Sequence, residues 1–501
     1  MLGFSNASDY ERARDILLNA EYTEPGLATK LSRRPILSVG AVDLPPWLRL
    51  THQLSPSDAL IRLFLMGKSV PLDVAERAVA PMALDRWIDA GLLAPGQGDN
   101  TVAPQFKLLP IGGLILASDT PHRWTHDARP DFVMAPGITT VELAHATLRK
   151  PSKRTLDVGT GCGVLGLLSA SHSREIVATD TNPRALEFTA FNARLNGINN
   201  LSCRVGSLFD PVAAKERFDL IVSNPPFVIS PTKRFEFRDA GMRGDEFCMG
   251  LIRAVPSHLA PGGFCQLKCN VAHHHGEDWR ERLTAWFEGL GCDVVVWVER
   301  VEEASEYAMT WIVGTESHDL DKVPDIYLQW MDYYDEAKIE AVSYLLVTMR
   351  RNDAGRNWTH IDDVPRKITG PCAEELLKTF ALQDTYGPLG KDAGLLETSP
   401  RLAADVHIQQ EHSMGDEGLQ AVATRLCKTG GSQYAMHVEP YIGSLAARFD
   451  GLRSVRDVLE EMALVFGQSV ESIQEQGLAI VSSLLDRGIL EPQQDPTDHG
   501  H

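Results

Sequence analysis

The sequence has no long apolar run, little cysteine and fewer bases than acids. No stretch approaches the roughly eighteen uninterrupted apolar residues of a membrane-spanning helix, and the first residues lack a basic region followed by an apolar one. Eight cysteines spread over 501 residues exclude a dense disulfide framework and indicate reduced thiols. We therefore expect a soluble cytoplasmic protein with no membrane partner.

Positive charge is also scarce, with 48 lysines and arginines against 67 acids and a net charge of −19. Such a surface repels a phosphate backbone, so nucleic acid is disfavoured as a partner unless a local basic patch overrides the mean. At this length, with 44% hydrophobic residues, the chain predicts several domains and a sizeable core.

Three domains are predicted: an α-rich domain at 1–120, an α/β domain at 121–318 and an α-rich domain at 319–501. In the first, two short helices (70–78 and 82–93), a glycine-rich turn and two apolar strands (105–109 and 113–117) have the order of a winged helix. Since its two helices contain only Arg77 and Arg86 as bases, docking or packing is favoured over reading DNA.

From residue 154 to about 315, apolar runs alternate with helical segments, which predicts a doubly wound, mostly parallel sheet. Val313 is predicted to close it as an edge strand. Ligands of such sheets bind beyond the carboxyl ends of the strands. The loops after Val158, Thr179 and Ser223 are therefore the candidate site.

The third domain starts with an aromatic segment, 327–334, which either packs against a core or lines a substrate groove; packing is the favoured reading. A helix is predicted at 336–347. The order helix, helix, glycine, strand over 455–492 suggests a second winged-helix-like unit, and the tail 493–501 is predicted to fray.

A strand running into a glycine-rich turn is the first chemical motif, with Gly159, Thr160, Gly161 and Gly163 as cofactor-binding residues. Glycine lets the backbone pass close under a ligand. Asp157, at the end of the strand, suits a cationic amino-acid group and faces a pyrophosphate badly. A tight connection without a ligand is the alternative reading.

The next two strand ends supply the remaining cofactor residues. Asp180, followed by Thr181 and Asn182, can accept both hydroxyls of a ribose, although an N-cap role for the following helix is also open. After the third strand, Ser207 and Leu208 are predicted to meet the edge of an adenine ring.

The most discriminating motif is Asn224-Pro225-Pro226-Phe227, at the end of a buried strand. Two prolines remove two backbone donors and leave carbonyl acceptors beside the Asn224 amide oxygen. A planar amide or amine can donate its N–H groups to these acceptors while Phe227 stacks on its face. We predict Asn224, Pro225 and Phe227 as catalytic residues, with Asn224 also bordering the cofactor.

Cys265 and Cys269, which precede the histidines at 273–275, are candidate metal ligands by residue type. The alternating pattern of this segment is that of a strand, with both cysteines on its buried face, whereas zinc ligands usually come from tight turns. No metal is predicted.

These motifs resemble the amino-methyltransferase branch of class I methyltransferases, and in particular release-factor glutamine N5-methyltransferases and small-domain rRNA guanine N2-methyltransferases. The segments 132–142 and 237–245 are similar to the loop before the first strand and to the segment after Asn-Pro-Pro in the first group. The resemblance covers about residues 130–315. It implies a Rossmann-like fold, S-adenosylmethionine as cofactor, and an acceptor pocket at Asn224 and Phe227.

The motifs and the resemblance are compatible with three functions. The favoured one is N-methylation of an amide or amine in a protein or peptide grasped by the flanking domains. The second is N-methylation of an extruded guanine or adenine base in RNA or DNA. The third is a non-catalytic cofactor-binding regulator, which the intact acceptor motif disfavours.

Overall fold

The computed structural model describes residues 2–32, 36–37, 44–120, 131–232, 238–239, 242–316, 321–386, 394–415 and 418–492. The chain forms two compact units. The first comprises Met1–Ala144, Arg149–Asp293 and Glu302–Trp358, and the second comprises His145–Leu148, Val294–Val301 and Thr359–His501. Among the described residues, no helix has the length and apolar character needed to cross a bilayer.

The N-terminal extension, residues 2–120 of the first unit, is mainly helical, and the winged helix predicted in it stays a prediction. Its helices and strands are Ala7–Asn19, Glu24–Lys30, Leu44–Leu50, Pro56–Leu60 with the π-helical turn Ile61–Leu65, Val70–Pro71, Leu72–Val79, Leu84–Asp89, Leu93–Pro95, Thr101–Pro104, Lys107–Ile111 and Leu114–Ser118. A capping box between Ser55 and Asp58 fixes the start of the helix at Pro56.

The short strands of the N-terminal extension pair differently from the strands that were predicted to form a wing. Thr101–Pro104 lies between Val70–Pro71 and Leu93–Pro95 in an antiparallel sheet. The two apolar strands expected in the wing instead form a separate hairpin, Lys107–Ile111 with Leu114–Ser118. Burial explains the difference, since nearly all residues of this hairpin are buried, whereas the strands of a wing are short and half exposed.

The rest of the first unit is built on a doubly wound sheet. In spatial order its strands are Leu201–Val205, Ser173–Asp180, Ser152–Val158, Phe218–Ser223, Leu259–His274 and Ile339–Arg351. The first five are parallel and the last is antiparallel to its neighbour. The strand Cys292–Glu303 begins in this unit and continues into the second.

Helices alternate with these strands, as the sequence predicted: Ile138–Ala146, Val164–Leu168, Pro183–Leu195, Glu246–Ala254, Trp279–Phe287, Ala304–Trp311 and Val323–Ala337. The aromatic segment lies in the last of these, where Trp330 and Tyr334 are fully buried. The favoured packing reading therefore describes these two side chains.

Two predicted elements were wrong. Val313 lies in a π-helical turn, Ile312–Glu316, and not in an edge strand. The helix expected at 336–347 is the antiparallel strand Ile339–Arg351. From Ala341 to Met349 this strand is buried on both faces, so its mostly apolar sequence shows no alternation, and periodicity cannot distinguish a strand from a helix.

The second unit combines helices with an antiparallel sheet. The strands Lys367–Ile368, Ser432–Val438, Gly418–Lys428 and Val406–Gly415 are neighbours in that order, and Thr359–Asp362 pairs in parallel with Val294–Trp297. The helices are Ala373–Tyr386, Pro440–Ala446, Val455–Phe466 and Val470–Asp486. Its core includes Leu426, Val458 and Val481.

The sequence did not predict the three long strands of this sheet. The two helices and the strand near the end were predicted from the sequence. That strand, Leu490–Glu491, pairs with Arg401–Leu402. The predicted frayed tail, 493–501, lies outside the described residues.

Candidate functional site

The glycine-rich loop, residues 159 to 163, connects the strand Ser152–Val158 to the helix Val164–Leu168. Gly159, Gly161 and Gly163 have φ values of +68°, +57° and +90°, a conformation that L side chains rarely adopt. A Cβ built on Gly159 or Gly161 would meet no protein atom within 4 Å. The loop therefore turns a bare stretch of backbone toward open space.

Asp157 lies beneath this loop and holds it. One carboxylate oxygen accepts hydrogen bonds from the Thr160 hydroxyl (2.6 Å) and the Gly166 backbone N–H (2.8 Å). The other oxygen is buried and has no hydrogen-bond partner among the described residues. Burial raises the pKa of Asp157 to about 6, and the nearby charge of Asp180 contributes in the same direction.

Asp180 ends the second strand and lies at the wall of a cavity. Its carboxylate accepts from the backbone N–H groups of Gly161 and Asn182, both at 2.9 Å. The Asn182 side chain caps the helix Pro183–Leu195 by accepting from the Arg184 N–H. Asp180 thus braces the glycine-rich loop, and its carboxylate oxygens retain further acceptor capacity toward the cavity.

A single cavity of about 440 Å³ joins the predicted cofactor and acceptor residues. Of the predicted residues, its wall contains Gly159, Thr160, Gly161, Asp180, Thr181, Asn182, Ser207, Leu208, Asn224 and Pro225. Asp157, Gly163 and Phe227 are outside this set. The wall also includes residues that the motifs did not single out, among them Phe247 and Ala185.

Asn224 follows the fourth strand and presents its amide oxygen without a partner. The Asn224 amide nitrogen donates to the hydroxyl of Thr140 at 2.8 Å and lies 3.5 Å from that of Thr139. The amide oxygen is buried and accepts no hydrogen bond from the described residues. In this orientation the amide offers an acceptor beside two prolines that have no N–H.

Phe227 is placed differently from the stacking position that the sequence suggested. Its ring is nearly buried and packs edge-on against Trp311, with the ring centroids 6.3 Å apart. The aromatic residues on the cavity wall are Phe132 and Phe247. The stacking role of Phe227 stays a prediction.

Two buried tyrosines clamp the acceptor loop, residues 224 to 232. Tyr307 accepts from the Ile229 N–H at 3.1 Å and from the Asn270 side chain at 2.8 Å. Tyr334 donates to the Ile229 carbonyl at 2.8 Å. Both tyrosines come from helices that follow the sheet's fifth strand, so no local sequence signal around Asn224 could have identified them.

The segments noted for their resemblance also border the cavity. Residues 132–136 line it, as does Thr140. Of the second segment, residues 237, 240 and 241 lie outside the described residues. Arg238 is buried and forms an ion pair with Asp239 at 2.7 Å. Asp239 lies on the cavity wall, and the guanidinium of Arg238 balances its charge.

Cys265 and Cys269 are buried in the strand Leu259–His274, and burial raises the pKa of the Cys265 thiol. His273 is the penultimate residue of the same strand. It hydrogen-bonds Ser343 at 2.7 Å and stacks on Trp279, and burial lowers its pKa to about 4. The burial of the two cysteines and the contacts of His273 indicate that these side chains serve packing.

The family comparison decides what this cavity belongs to. The model of the methyltransferase small domain matches residues 139–276, which contain the glycine-rich loop, Asp180 and Asn224. Residues 139–276 are therefore similar to a methyltransferase small domain. Two models described as domains of unknown function, DUF7059 and DUF7782, match residues 19–104 and 389–492.

The methyltransferase small domain also carries the likeness to curated relatives. Over 177 residues, 36% are identical to the release factor glutamine methyltransferase of Xylella fastidiosa (strain Temecula1), covering 33% of this chain and 62% of the relative. The release factor glutamine methyltransferase of Aliivibrio fischeri is 31% identical over 163 residues, covering 30% of this chain and 55% of the relative. The ribosomal protein uL3 glutamine methyltransferase of Bradyrhizobium diazoefficiens is 30% identical over 177 residues, with coverages of 33% and 51%. The chain therefore spans little more than half the length of these relatives.

Among solved structures, ribosomal protein L11 methylase from Lactobacillus delbrueckii subsp. bulgaricus is 18% identical, with a TM-score of 0.26, and the match covers 44% of this chain and 81% of that one. A score this low supports no statement about function. The fold assignment rests on the strand order of the sheet, which is Rossmann-like with an antiparallel last strand.

S-adenosylmethionine is the cofactor of class I methyltransferase domains, and the cavity fits it. Gly159 and Gly161 form a cradle that any Cβ would fill, and Asp180 lies where a ribose can be held. The cavity continues from this cradle to Asn224, so a cofactor and an acceptor group can meet in one enclosed space.

Proposed function

We propose that this protein is an S-adenosylmethionine-dependent N-methyltransferase that methylates the side-chain amide of glutamine in a protein or peptide. The relatives with which the domain aligns are named as glutamine methyltransferases of a release factor and of a ribosomal protein. Their likeness covers only the region of the methyltransferase small domain. The relatives therefore do not identify the protein that this longer chain methylates.

The observation that carries the proposal is the amide oxygen of Asn224, which is buried and accepts no hydrogen bond from the part of the chain that the structure describes. A buried acceptor without a partner costs free energy, on the order of 1–3 kcal/mol, unless a ligand supplies the missing donor. A primary amide supplies two N–H donors in one plane. Asn224 accepts one of them, and the carbonyl oxygens of the proline-rich turn can accept the other.

The bound cofactor supplies a sulfonium-activated methyl group. Transfer of that methyl group to the client's amide nitrogen would leave S-adenosylhomocysteine and would release one proton from that nitrogen to solvent. Asn224 and the carbonyl groups of the proline-rich turn hold the N–H groups, which directs the nitrogen toward the cofactor end of the cavity and raises its electron density. Alignment in an enclosed space supplies much of the rate enhancement.

The assignment of residues follows from their positions. Asp180, Thr181, Asn182, Ser207 and Leu208 are proposed to hold the nucleoside. Gly159, Thr160 and Gly161 are proposed to hold the amino-acid part of the cofactor. Asp157 acts from below by fixing the glycine-rich loop, because it lies outside the cavity wall.

A protein client is favoured over nucleic acid by charge. The chain carries 19 net negative charges, and the predicted winged helix contributes no excess of bases, since its helices contain Arg77 and Arg86 but also Asp73, Asp85 and Asp89. The winged helix is therefore proposed as a docking or packing module.

The test is methyl transfer from isotopically labelled S-adenosylmethionine to glutamine-containing peptides, to a protein extract and to total RNA. Label in protein that is absent with an Asn224→Ala variant supports the proposal. Label in RNA alone would favour the base N-methyltransferase, and binding of cofactor without transfer to any of the three would favour a regulator.

A further inference from the structure

The N-terminal extension is joined to the cofactor cavity by a network of buried hydrogen bonds that centres on Asp119. Asp119 follows the extension's last strand, Leu114–Ser118, and is 6% exposed. Its carboxylate accepts two hydrogen bonds from the Arg184 guanidinium, at 2.5 and 2.6 Å, and one from the Val133 N–H at 2.8 Å. The Asp119 N–H donates to the Val133 carbonyl at 3.0 Å.

These contacts connect two stretches of the cavity wall. Val133 lies on one stretch, beside Phe132 and Met134. Arg184 belongs to the helix that Asn182 caps, and Asn182 lies on the other stretch beside Asp180. Arg184 and Asn182 both donate to the Asp131 carbonyl, at 3.1 and 3.0 Å, so the two stretches are tied twice at the end of the cavity where Asp180 lies.

A second connection runs through Asn192, on the same helix. Asn192 is fully buried, accepts from the Ala117 N–H (2.7 Å) and donates to the Ala117 carbonyl (3.0 Å), as a neighbouring strand would. Its amide nitrogen also donates to the carbonyl of Cys162, in the glycine-rich loop, at 2.8 Å. Asn196 repeats the pattern with Ile115, at 2.9 and 2.8 Å.

We propose that Asp119 is a positioning residue for the cofactor cavity, and that the N-terminal extension sets cofactor affinity through Asp119 and Asn192. The inference rests on the proposed function, because it takes the cavity to be the cofactor site. A bidentate ion pair fixes both distance and angle, so it holds the Val133 and Asn182 stretches at one spacing. By linkage, a cofactor that favours this spacing also stabilises the attachment of the extension.

The test compares the affinity of S-adenosylhomocysteine for the full-length wild type, Asp119→Asn and Asp73→Asn by calorimetric titration. Asp119→Asn keeps an acceptor for the Val133 N–H but removes the charge that pairs with Arg184. We expect the affinity for S-adenosylhomocysteine to fall about tenfold, which is within the effect of losing one charge-assisted pair. Asp73 forms an exposed ion pair with Arg77 in the same extension, at 2.7 Å, and its replacement is expected to leave affinity unchanged.

The second readout is hydrogen exchange of the strand Leu114–Ser118, in which Ile115 and Ala117 donate to the asparagine side chains. S-adenosylhomocysteine should slow the exchange of these backbone N–H groups in the wild type. The slowing should be smaller in Arg184→Lys, which keeps the charge but loses the bidentate geometry. Wild-type affinity in a folded Asp119→Asn protein, or ligand-independent exchange of this strand, would overturn the inference. If the wild type itself binds no S-adenosylhomocysteine, the proposed function fails instead.

Discussion

Replacing Gly161 by alanine separates the backbone cost of the glycine-rich loop from its role in binding. Gly161 has φ +57°, and Gly262, in an exposed part of another strand, has φ +72°. At both positions a Cβ would meet no protein atom within 4 Å. A left-handed conformation costs an L residue about 1–2 kcal/mol, and the loss of unfolded-state freedom returns about 0.4–1 kcal/mol of this.

We therefore expect Gly161→Ala and Gly262→Ala to lose the same stability, about 1 kcal/mol, which lowers the melting temperature by about 1–2 °C for a unit of this size. Their binding should differ. Gly161 lies on the cavity wall, so its new methyl group occupies space that the ligand needs, whereas Gly262 is not on that wall.

The assay is calorimetric titration with S-adenosylhomocysteine, together with thermal melting of both variants. Gly161→Ala should bind at least about tenfold more weakly than the wild type, and Gly262→Ala should bind as the wild type does. Equal affinity of the two variants would refute the assignment of the loop as a cofactor cradle. A much larger loss of stability in Gly161→Ala would refute the claim that the methyl group enters empty space.

Two further predictions concern buried polar groups. The pKa of Asp157 is raised from its ordinary value of 3.8 to about 6, so the folded protein binds more protons than the unfolded chain between these values, and its free energy of unfolding falls as pH rises through about 6, by about 3 kcal/mol for this group alone. Thermal melts from pH 4 to 8 should show this decline in the wild type and a flatter profile in Asp157→Asn; parallel profiles would contradict the buried charge. Tyr307→Phe removes the acceptor of the buried Ile229 N–H and should cost about 1–3 kcal/mol, with methyl transfer reduced more than S-adenosylhomocysteine affinity. Tyr10→Phe is its control, because the buried Tyr10 hydroxyl has no hydrogen-bond partner among the described residues, and it should melt at or above the wild-type temperature; equal melting of the two variants would argue against the clamp.

Much of the site could be predicted from sequence because its determinants are local. A glycine-rich turn, an acid at the next strand end and Asn-Pro-Pro after the fourth strand each constrain the backbone within a few residues. Parallel strands then bring these ends to one edge of the sheet without further information. Ten of the predicted residues share one cavity for this reason.

The remainder depends on contacts between distant residues. The orientation of Asn224 is set by Thr140, 84 residues earlier, and the Asp119–Arg184 pair joins residues 65 apart. Asp157 was assigned to the ligand because its position in the strand is local, but its hydrogen bonds to Thr160 and Gly166 turn it inward. The strand Ile339–Arg351 was read as a helix because burial on both faces removes the alternation that identifies a strand.

A side-chain amide is proposed to accept the methyl group at Asn224. The most direct test identifies the labelled atom, by tandem mass spectrometry, in protein methylated by the wild type and by Asn224→Ala, with S-adenosylhomocysteine affinity measured for both. We predict label on the amide nitrogen of glutamine with the wild type, none with Asn224→Ala, and similar affinities. Label elsewhere, or undiminished transfer by Asn224→Ala, would contradict the claim.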